Sequence, residues 1–495
     1  MLLLKKFWQF LHANASTVIF LGTVCFVIIF SVSTLITKPR LWSDEAVSIG
    51  IARSFLNHGV LSPQIAPDKF FEPVAFIQST GYPVTILLSG FFKVFGYGLT
   101  QARIFMLGWM ILMLVYTFFL AKKLFGKWQA CASVLLFASF ASFYGSGRTV
   151  VGEIPGFTML LAGLYFLLEK KSYFLAGIFW GLAVVTKPSV FGLVIPAIVL
   201  TFLFERSDFS EFFRKTFWLG CGMIPAGLGS LVLLVPNPFS GETWTGLANF
   251  YSNPFSSSIA DNVTRNFFGV FHSSTLLYFG FFFLLILVAR FWRLRYENAN
   301  KHEGNISNYR ILYTFTLVYS VLAFIYYLRS PGWLRYILIA ELLILFILPS
   351  VVQTFNLWFR EKYPALPVRV STLSYVVTSF LICIQFIQMF TSAQIYSGDS
   401  DIQAARYLEK NFPGKSIGIL NSLELSVLLD PSRTYLTFFN AGLPVVGDNP
   451  LLRLSPPDVI ATDPNNRFAN EGREVLESHY VSSVVVGGYS IYIRK

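Results

Sequence analysis

The sequence predicts a polytopic α-helical membrane protein that ends in a small soluble α/β domain. Three observations carry that expectation. Hydrophobic residues make up 54% of the 495 residues and charged ones only 13%, against about 25% charged in a soluble protein. Apolar windows of about 20 residues, the length that crosses a bilayer, recur along most of the chain. The basic residues fall in short segments between those windows: Lys5 and Lys6; Lys122, Lys123 and Lys127; Lys170 and Lys171; Arg206, Arg214 and Lys215; Arg290, Arg293, Arg295, Lys301 and Arg310; Arg360, Lys362 and Arg369. Such a distribution is that of cytoplasmic loops. It assigns the net charge of +12 to membrane topology and excludes a nucleic-acid partner.

Taken in order, the windows lie near 17–36, 101–121, 129–147, 153–169, 173–187, 189–204, 216–236, 271–290, 311–328, 336–353 and 371–391. They give about eleven spans, the fifth and sixth short. Placing the basic connectors in the cytoplasm puts the N-terminus inside and, after an odd number of crossings, the C-terminus outside. The first window is too long for a signal-peptide core and runs into Thr37-Lys38-Pro39-Arg40 without a small-residue cleavage site, so it reads as an uncleaved span. Two outer connectors are long. The first, 37–100, carries Asp44, Glu45, Arg53, His58, Asp68 and Glu72. Its amphipathic stretch 45–57 and its short apolar run 82–95 suit helices lying along the interface. The second, 236–271, contains Pro236, Pro238 and Pro254 and reads as an ordered or substrate-gated loop.

Residues 1–391 thus form the membrane domain and 392–495 the soluble one. In the latter, 401–411 has helical spacing and stops at Pro413-Gly414, while 416–420, 459–462 and 482–493 are β-branched runs, the last a hairpin around Gly487-Gly488. Its polar loop with Asp463 and Arg467 reads as plain surface. Cys25, Cys131, Cys221 and Cys383 all sit in hydrophobic runs without metal-ligand or disulfide spacing.

The chemistry is expected at the outer ends of the spans. Asp44 and Glu45 follow the first, Arg148 and Glu153 bracket the turn between the third and fourth, Lys187 ends the fifth, and Arg329 and Arg335 flank Ser330-Pro331-Gly332-Trp333. Snorkelling accounts for Arg329 and Lys187, but carboxylates are too short to snorkel far, and acids at a bilayer lip are costly unless they act. Glycosyl transfer from a lipid phosphate fits this set. An acid takes the proton of the acceptor hydroxyl, a second carboxylate faces the oxocarbenium-like carbon, and arginines clamp the departing phosphate. Two other classes stay open at this point. A transporter or flippase for lipid-linked glycans would bring repeats and mid-membrane charges, whereas no repeat is visible and the charges lie at span ends. A non-enzymatic assembly subunit leaves the acid pair unexplained.

Leu41-Trp42-Ser43-Asp44-Glu45-Ala46 resembles the acidic motif after the first span of GT-C-fold glycosyltransferases, the group of protein O-mannosyltransferases and of the aminoarabinose transferases that modify lipid A. Gly81-Tyr82-Pro83 before Phe95-Gly96, Arg103 at the start of the second span, Gly147-Arg148 with Glu153, Gly181-Leu182-Ala183-Val184-Val185-Thr186-Lys187-Pro188 and Arg335-Tyr336 resemble further motifs of that group, in the same order. Two positions depart from the pattern: Gly81-Tyr82-Pro83 stands in place of His-Pro-Pro, and the second acid is Glu rather than Asp. The resemblance implies a GT-C membrane domain and an inverting transfer from a polyprenyl-phosphate sugar to a lipid, glycan or protein. It implies Asp44 as general base and Glu153 as second acid, with Glu45 and Asp44 as ligands of a divalent cation, Mg²⁺ or Mn²⁺. Arg148, Arg335 and Lys187 would hold the donor phosphate, and Arg53, His58, Tyr82 and Tyr336 would line the substrate pocket. Because nucleotide sugars are cytoplasmic, a lipid-linked donor suits the outer face of the bacterial cytoplasmic membrane, where the C-terminal domain would also lie.

Overall fold

The computed structural model describes residues 14–71, 80–205, 208–234, 239–241, 244–245, 258–300, 306–363, 370–392, 397–420, 422–437, 456–462, 476 and 479–495. Residues 236–238, 242–243 and 246–257 of the second connector and the loop with Asp463 and Arg467 fall outside them.

Each apolar window of the sequence holds a helix. Seven described helices are long and apolar enough to cross a bilayer: Ala15–Val32 (α1), Leu99–Leu124 (α4), Phe209–Leu234 (α11), Leu338–Lys362 (α15), and the apolar stretches of Ser274–Asn300 (α13), Ile306–Arg329 (α14) and Val370–Ser392 (α16). Lys127–Ala138 (α5) and Ala141–Arg148 (α6) make an eighth span if taken together, bent by 67°. The remaining three windows hold shorter helices: Glu153–Leu168 (α7), Tyr173–Thr186 (α8), and the pair Pro188–Phe191 (α9) and Val194–Phe204 (α10). Of these, Glu153–Leu168 is buried along nearly its whole length. Leu338–Lys362 is the most buried span, and its apolar side chains from Leu338 to Val351 form the centre of the main core with Phe137, Phe157, Trp180 and Phe191.

In the first connector, Ser43–His58 (α2) corresponds to the expected amphipathic stretch. It does not lie half-exposed on an interface, however: every residue from Glu45 to Ser54 is buried. Part of the cover comes from the C-terminal domain, whose helix Leu423–Leu428 (α18) packs on α2 so closely that a Cβ at Gly50 would touch Val427. Tyr82–Phe95 (α3) behaves as expected of an interfacial helix. Its 14 residues reach about 21 Å, and Leu87, Val94 and Phe95 are exposed. A short hairpin, Gln64–Ala66 (β1) with Lys69–Phe70 (β2), lies between the two helices.

The C-terminal residues form a five-stranded sheet of order β4-β3-β5-β7-β6, with strands Ile417–Leu420 (β3), Thr434–Thr437 (β4), Val459–Thr462 (β5), Tyr480–Val486 (β6) and Tyr489–Arg494 (β7). β3 pairs in parallel with β4 and β5, while β7 runs antiparallel to β5 and to β6. The expected hairpin turns through Gly487 and Gly488, both at positive φ (58° and 85°), which glycine alone adopts freely. Ser400–Asn411 (α17) is the expected helix; β4 and α18 were not expected. This domain shares one core with the first connector, in which Ile49, Ala52 and Leu88 meet Ile417, Leu425 and Ile491. Polar contacts reinforce it. Arg40 donates to both oxygens of buried Asp401 at 3.3 Å, Gly398 N donates to Thr37 O at 3.2 Å, and Tyr97 donates to Val427 O at 2.6 Å.

Candidate active site

Asp44 and Glu45 both sit in the first turn of α2, where the helix dipole favours negative charge. Adjacent helical residues diverge by about 100°, and the two acids accordingly face different partners. Glu45 is fully buried and takes a bidentate hydrogen bond from Arg103, Nε to Oε1 at 2.9 Å and Nη2 to Oε2 at 2.7 Å. Arg103 also donates to the carbonyls of Leu35 and Ile36 at 2.7 and 3.1 Å, tying the turn after α1 to the same guanidinium. Asp44 stays partly open, its side chain 26% exposed, and pairs with Arg335.

Arg335 lies in a short 3-10 turn, Leu334–Tyr336, before α15. Its guanidinium is stacked among Trp333, Trp42 and Tyr336 at 4.5, 5.2 and 5.5 Å from the ring centres. Burial disfavours its charge, but Asp44, Tyr336 and Glu153 outweigh that effect and hold it protonated above its ordinary range. Arg335 thus lies within electrostatic reach of both Asp44 and Glu153.

Glu153 opens α7 and forms a buried ion pair with Lys187, Nζ to Oε1 at 3.0 Å. Its other oxygen has no hydrogen-bond partner, and neither has Arg335 Nε. Lys187 owes its place to Pro188: the residue before a proline is pushed out of the α region, so α8 stops at Thr186 and Lys187 is non-helical (φ −151°, ψ 86°). Two glycines clasp that break. Gly81 N donates to Thr186 O at 2.8 Å, and a Cβ at Gly81 would fall 1.8 Å from Val185 O. A Cβ at Gly152 would fall 2.6 Å from Thr186 O and 2.9 Å from Lys187 Cβ.

Arg148 ends the bent pair, buried, with Nη1 donating to Thr34 Oγ1 at 2.7 Å, between the rings of Phe30 and Tyr144. It has no carboxylate partner among the described residues, and Arg103 is near enough to repel it. Tyr82 donates to Ala226 O at 3.2 Å from the start of α3, beside the Gly81 clasp. The structure therefore joins Asp44, Arg335 and Tyr336 in one contact group and Glu153 with Lys187 in a second, which Arg335 reaches electrostatically, with Glu45, Arg103 and Arg148 adjoining.

Arg53 and His58 do not join this group. Arg53 is buried under the C-terminal domain, stacks on Tyr97 at 4.9 Å and donates to Leu429 O at 3.2 Å and Ser426 O at 3.3 Å. His58 is exposed at the far end of α2, its ring against Phe70. Neither lines a pocket with Asp44, because two and a half or more helical turns separate them from it.

The expected divalent-cation site does not fit these residues. Both Glu45 oxygens are taken by Arg103, one Asp44 oxygen by Arg335 and one Glu153 oxygen by Lys187. Among the described residues no three His, Cys, Asp or Glu side chains converge as a metal-ligand set. Sequence reasoning also missed Thr34, Trp42 and Trp333. The two tryptophans carried a signal, since each lies two residues before a charged site residue.

This arrangement of helices around an acid-and-arginine site belongs to a class of membrane fold shared with solved structures. Residues 83–236 match the family model of dolichyl-phosphate-mannose-protein mannosyltransferases. The crystal structure of apo ArnT from Cupriavidus metallidurans superposes with a TM-score of 0.60 at 13% identity, covering 97% of this chain and 98% of that one. The same protein bound to undecaprenyl phosphate gives 0.54 at 12% identity, over 98% and 97% of the two chains. No curated protein matches the sequence. The chain has the GT-C fold along nearly its whole length.

Proposed function

We propose that this protein is an inverting glycosyltransferase that moves a sugar from a polyprenyl-phosphate donor to a hydroxyl of a lipid, glycan or protein at the outer face of the bacterial cytoplasmic membrane. The observation that carries the reading is the charge balance of the site. Four cations, Arg103, Arg148, Lys187 and Arg335, stand against three carboxylates, Asp44, Glu45 and Glu153. Buried cations in excess call for an anion, and a lipid phosphate arriving at the membrane surface supplies one. The family match and the ArnT complex with undecaprenyl phosphate support the same donor class.

The residues divide the work as follows. Arg335 occupies one oxygen of Asp44, which leaves the other to take the acceptor proton. The acceptor oxygen attacks the anomeric carbon from the face opposite the phosphate, the carbon–oxygen bond to phosphate breaks, and the electron pair leaves on polyprenyl phosphate. Glu153, with one oxygen free, faces the positive charge that develops on the sugar. Arg335, Lys187 and Arg148 are available to neutralise the released phosphate. A single displacement inverts the anomeric centre.

Purified protein in nanodiscs, supplied with radiolabelled polyprenyl-phosphate sugars and a membrane extract as acceptor, tests this assignment. Asp44→Asn is expected to cut transfer by about 10²- to 10⁴-fold, the usual worth of a general base, without loss of folded protein. Transfer at the wild-type rate would reject Asp44 as the base.

A further inference from the structure

The helix Ile259–Val270 (α12), which follows the second long connector, is built inside out. Ile259, Val263, Phe267 and Phe271 form an exposed apolar stripe, while Asn262 and Asn266 are buried at 4% exposure each. An apolar outer face suits a helix lying in a lipid interface. It leaves the two inward-facing carboxamides to be accounted for by what they hold.

Asn266 Nδ2 lies 3.1, 3.1 and 2.6 Å from the carbonyl oxygens of Tyr327, Leu328 and Ser330. Three acceptors around one atom identify it as the amide nitrogen, sharing its two protons among them. Asn262 Nδ2 donates to Arg329 O at 3.2 Å. Arg265 donates to Asn262 Oδ1 at 2.9 Å and to Pro331 O at 3.2 Å. Three side chains of α12 thus reach all five carbonyls from 327 to 331, where α14 ends and few backbone donors remain. Tyr327 O has further donors there, Ser330 N at 3.0 Å and Ser330 Oγ at 2.8 Å. The turn then passes through Gly332, at φ +89°, where a Cβ would sit 2.7 Å from Asn266 Oδ1. Three residues later it delivers Arg335, stacked on Trp333 and paired with Asp44.

We propose that Asn266 is a positioning residue: from α12 it fixes the 327–333 turn and so sets Arg335 for the donor phosphate. This inference rests on the reading of Arg335 as a phosphate ligand. Undecaprenyl phosphate titrated onto the full-length protein in nanodiscs, with bound lipid counted by native mass spectrometry, tests both in one double-mutant cycle. Loss of a hydrogen-bonded support is expected to weaken binding about tenfold in Asn266→Ala. Arg335→Ala is expected to weaken it at least as much, and the double variant no more than Arg335→Ala alone. Unchanged binding in Asn266→Ala, with Arg335→Ala impaired, overturns the inference and leaves the phosphate reading standing. Equal losses from Asn266→Ala in both backgrounds overturn it as well, because a merely structural cap would act independently of Arg335. Wild-type binding by Arg335→Ala removes the phosphate reading and the inference together. If Asn266→Ala does not fold, Gly332→Ala, which displaces the same carboxamide, is carried through the same cycle.

Discussion

Asp44 and Glu45 are neighbours in sequence with separate tasks in space. One turn step carries Glu45 inward to Arg103, where it holds the turn after α1, and leaves Asp44 at the mouth of the site with Arg335. Breaking a fully buried ion pair by removing one partner costs about 3–5 kcal/mol, because the other charge is left unpaired. Arg103→Ala is therefore expected to lower the thermal unfolding midpoint sharply, and adding Glu45→Gln to recover part of the loss. A double variant as unstable as Arg103→Ala alone would count against Glu45 as its main partner. The acid pair itself could be read from the sequence, but its division could not. Glu45 finds its partner 58 residues away, on a helix whose rotation no local pattern sets.

At the scale of elements, the site depends on how closely the broken segment between α8 and α9 can approach α3 and α7. Gly81 and Gly152 permit that approach, and Lys187 reaches Glu153 because of it. Gly152→Ala forces a methyl group to within 3 Å of Thr186 O and Lys187 Cβ unless the backbone shifts. It should lower both sugar transfer and the unfolding midpoint, while Gly108→Ala on α4, where a Cβ meets nothing within 4 Å, should change neither. Comparable effects of the two substitutions would contradict the clasp. The sequence announced the break plainly, through Lys187-Pro188 ending an apolar run, and it located the helix of every span. What it could not announce was the burial of α2. Hydropathy reads 45–57 as an interfacial stretch because its polar residues look solvated, whereas Arg53 spends its hydrogen bonds on a domain 373 and 376 residues further on.

For the molecule as a whole, the C-terminal domain and the first connector form one body with a common core. The acid-bearing helix is thereby held from two directions, by Arg103 within the membrane domain and by α18 from above. Arg53 and His58 were drawn into the expected pocket by sharing a connector with Asp44. The return of the chain's last hundred residues onto that connector is what places Arg53 elsewhere. The charge pattern along the sequence predicts the acids and the terminal domain on one side of the bilayer, a reading compatible with their common core.

In the proposed reaction the Asp44 carboxylate drives transfer of a sugar onto an envelope component. The most direct test is the mass of envelope glycolipids and glycans from cells lacking the gene, complemented with wild-type protein or with Asp44→Asn at equal membrane abundance. This role for Asp44 predicts a species lighter by one sugar residue in the deleted cells, restored to full mass by the wild-type protein and left light by Asp44→Asn. Full restoration by Asp44→Asn would contradict it.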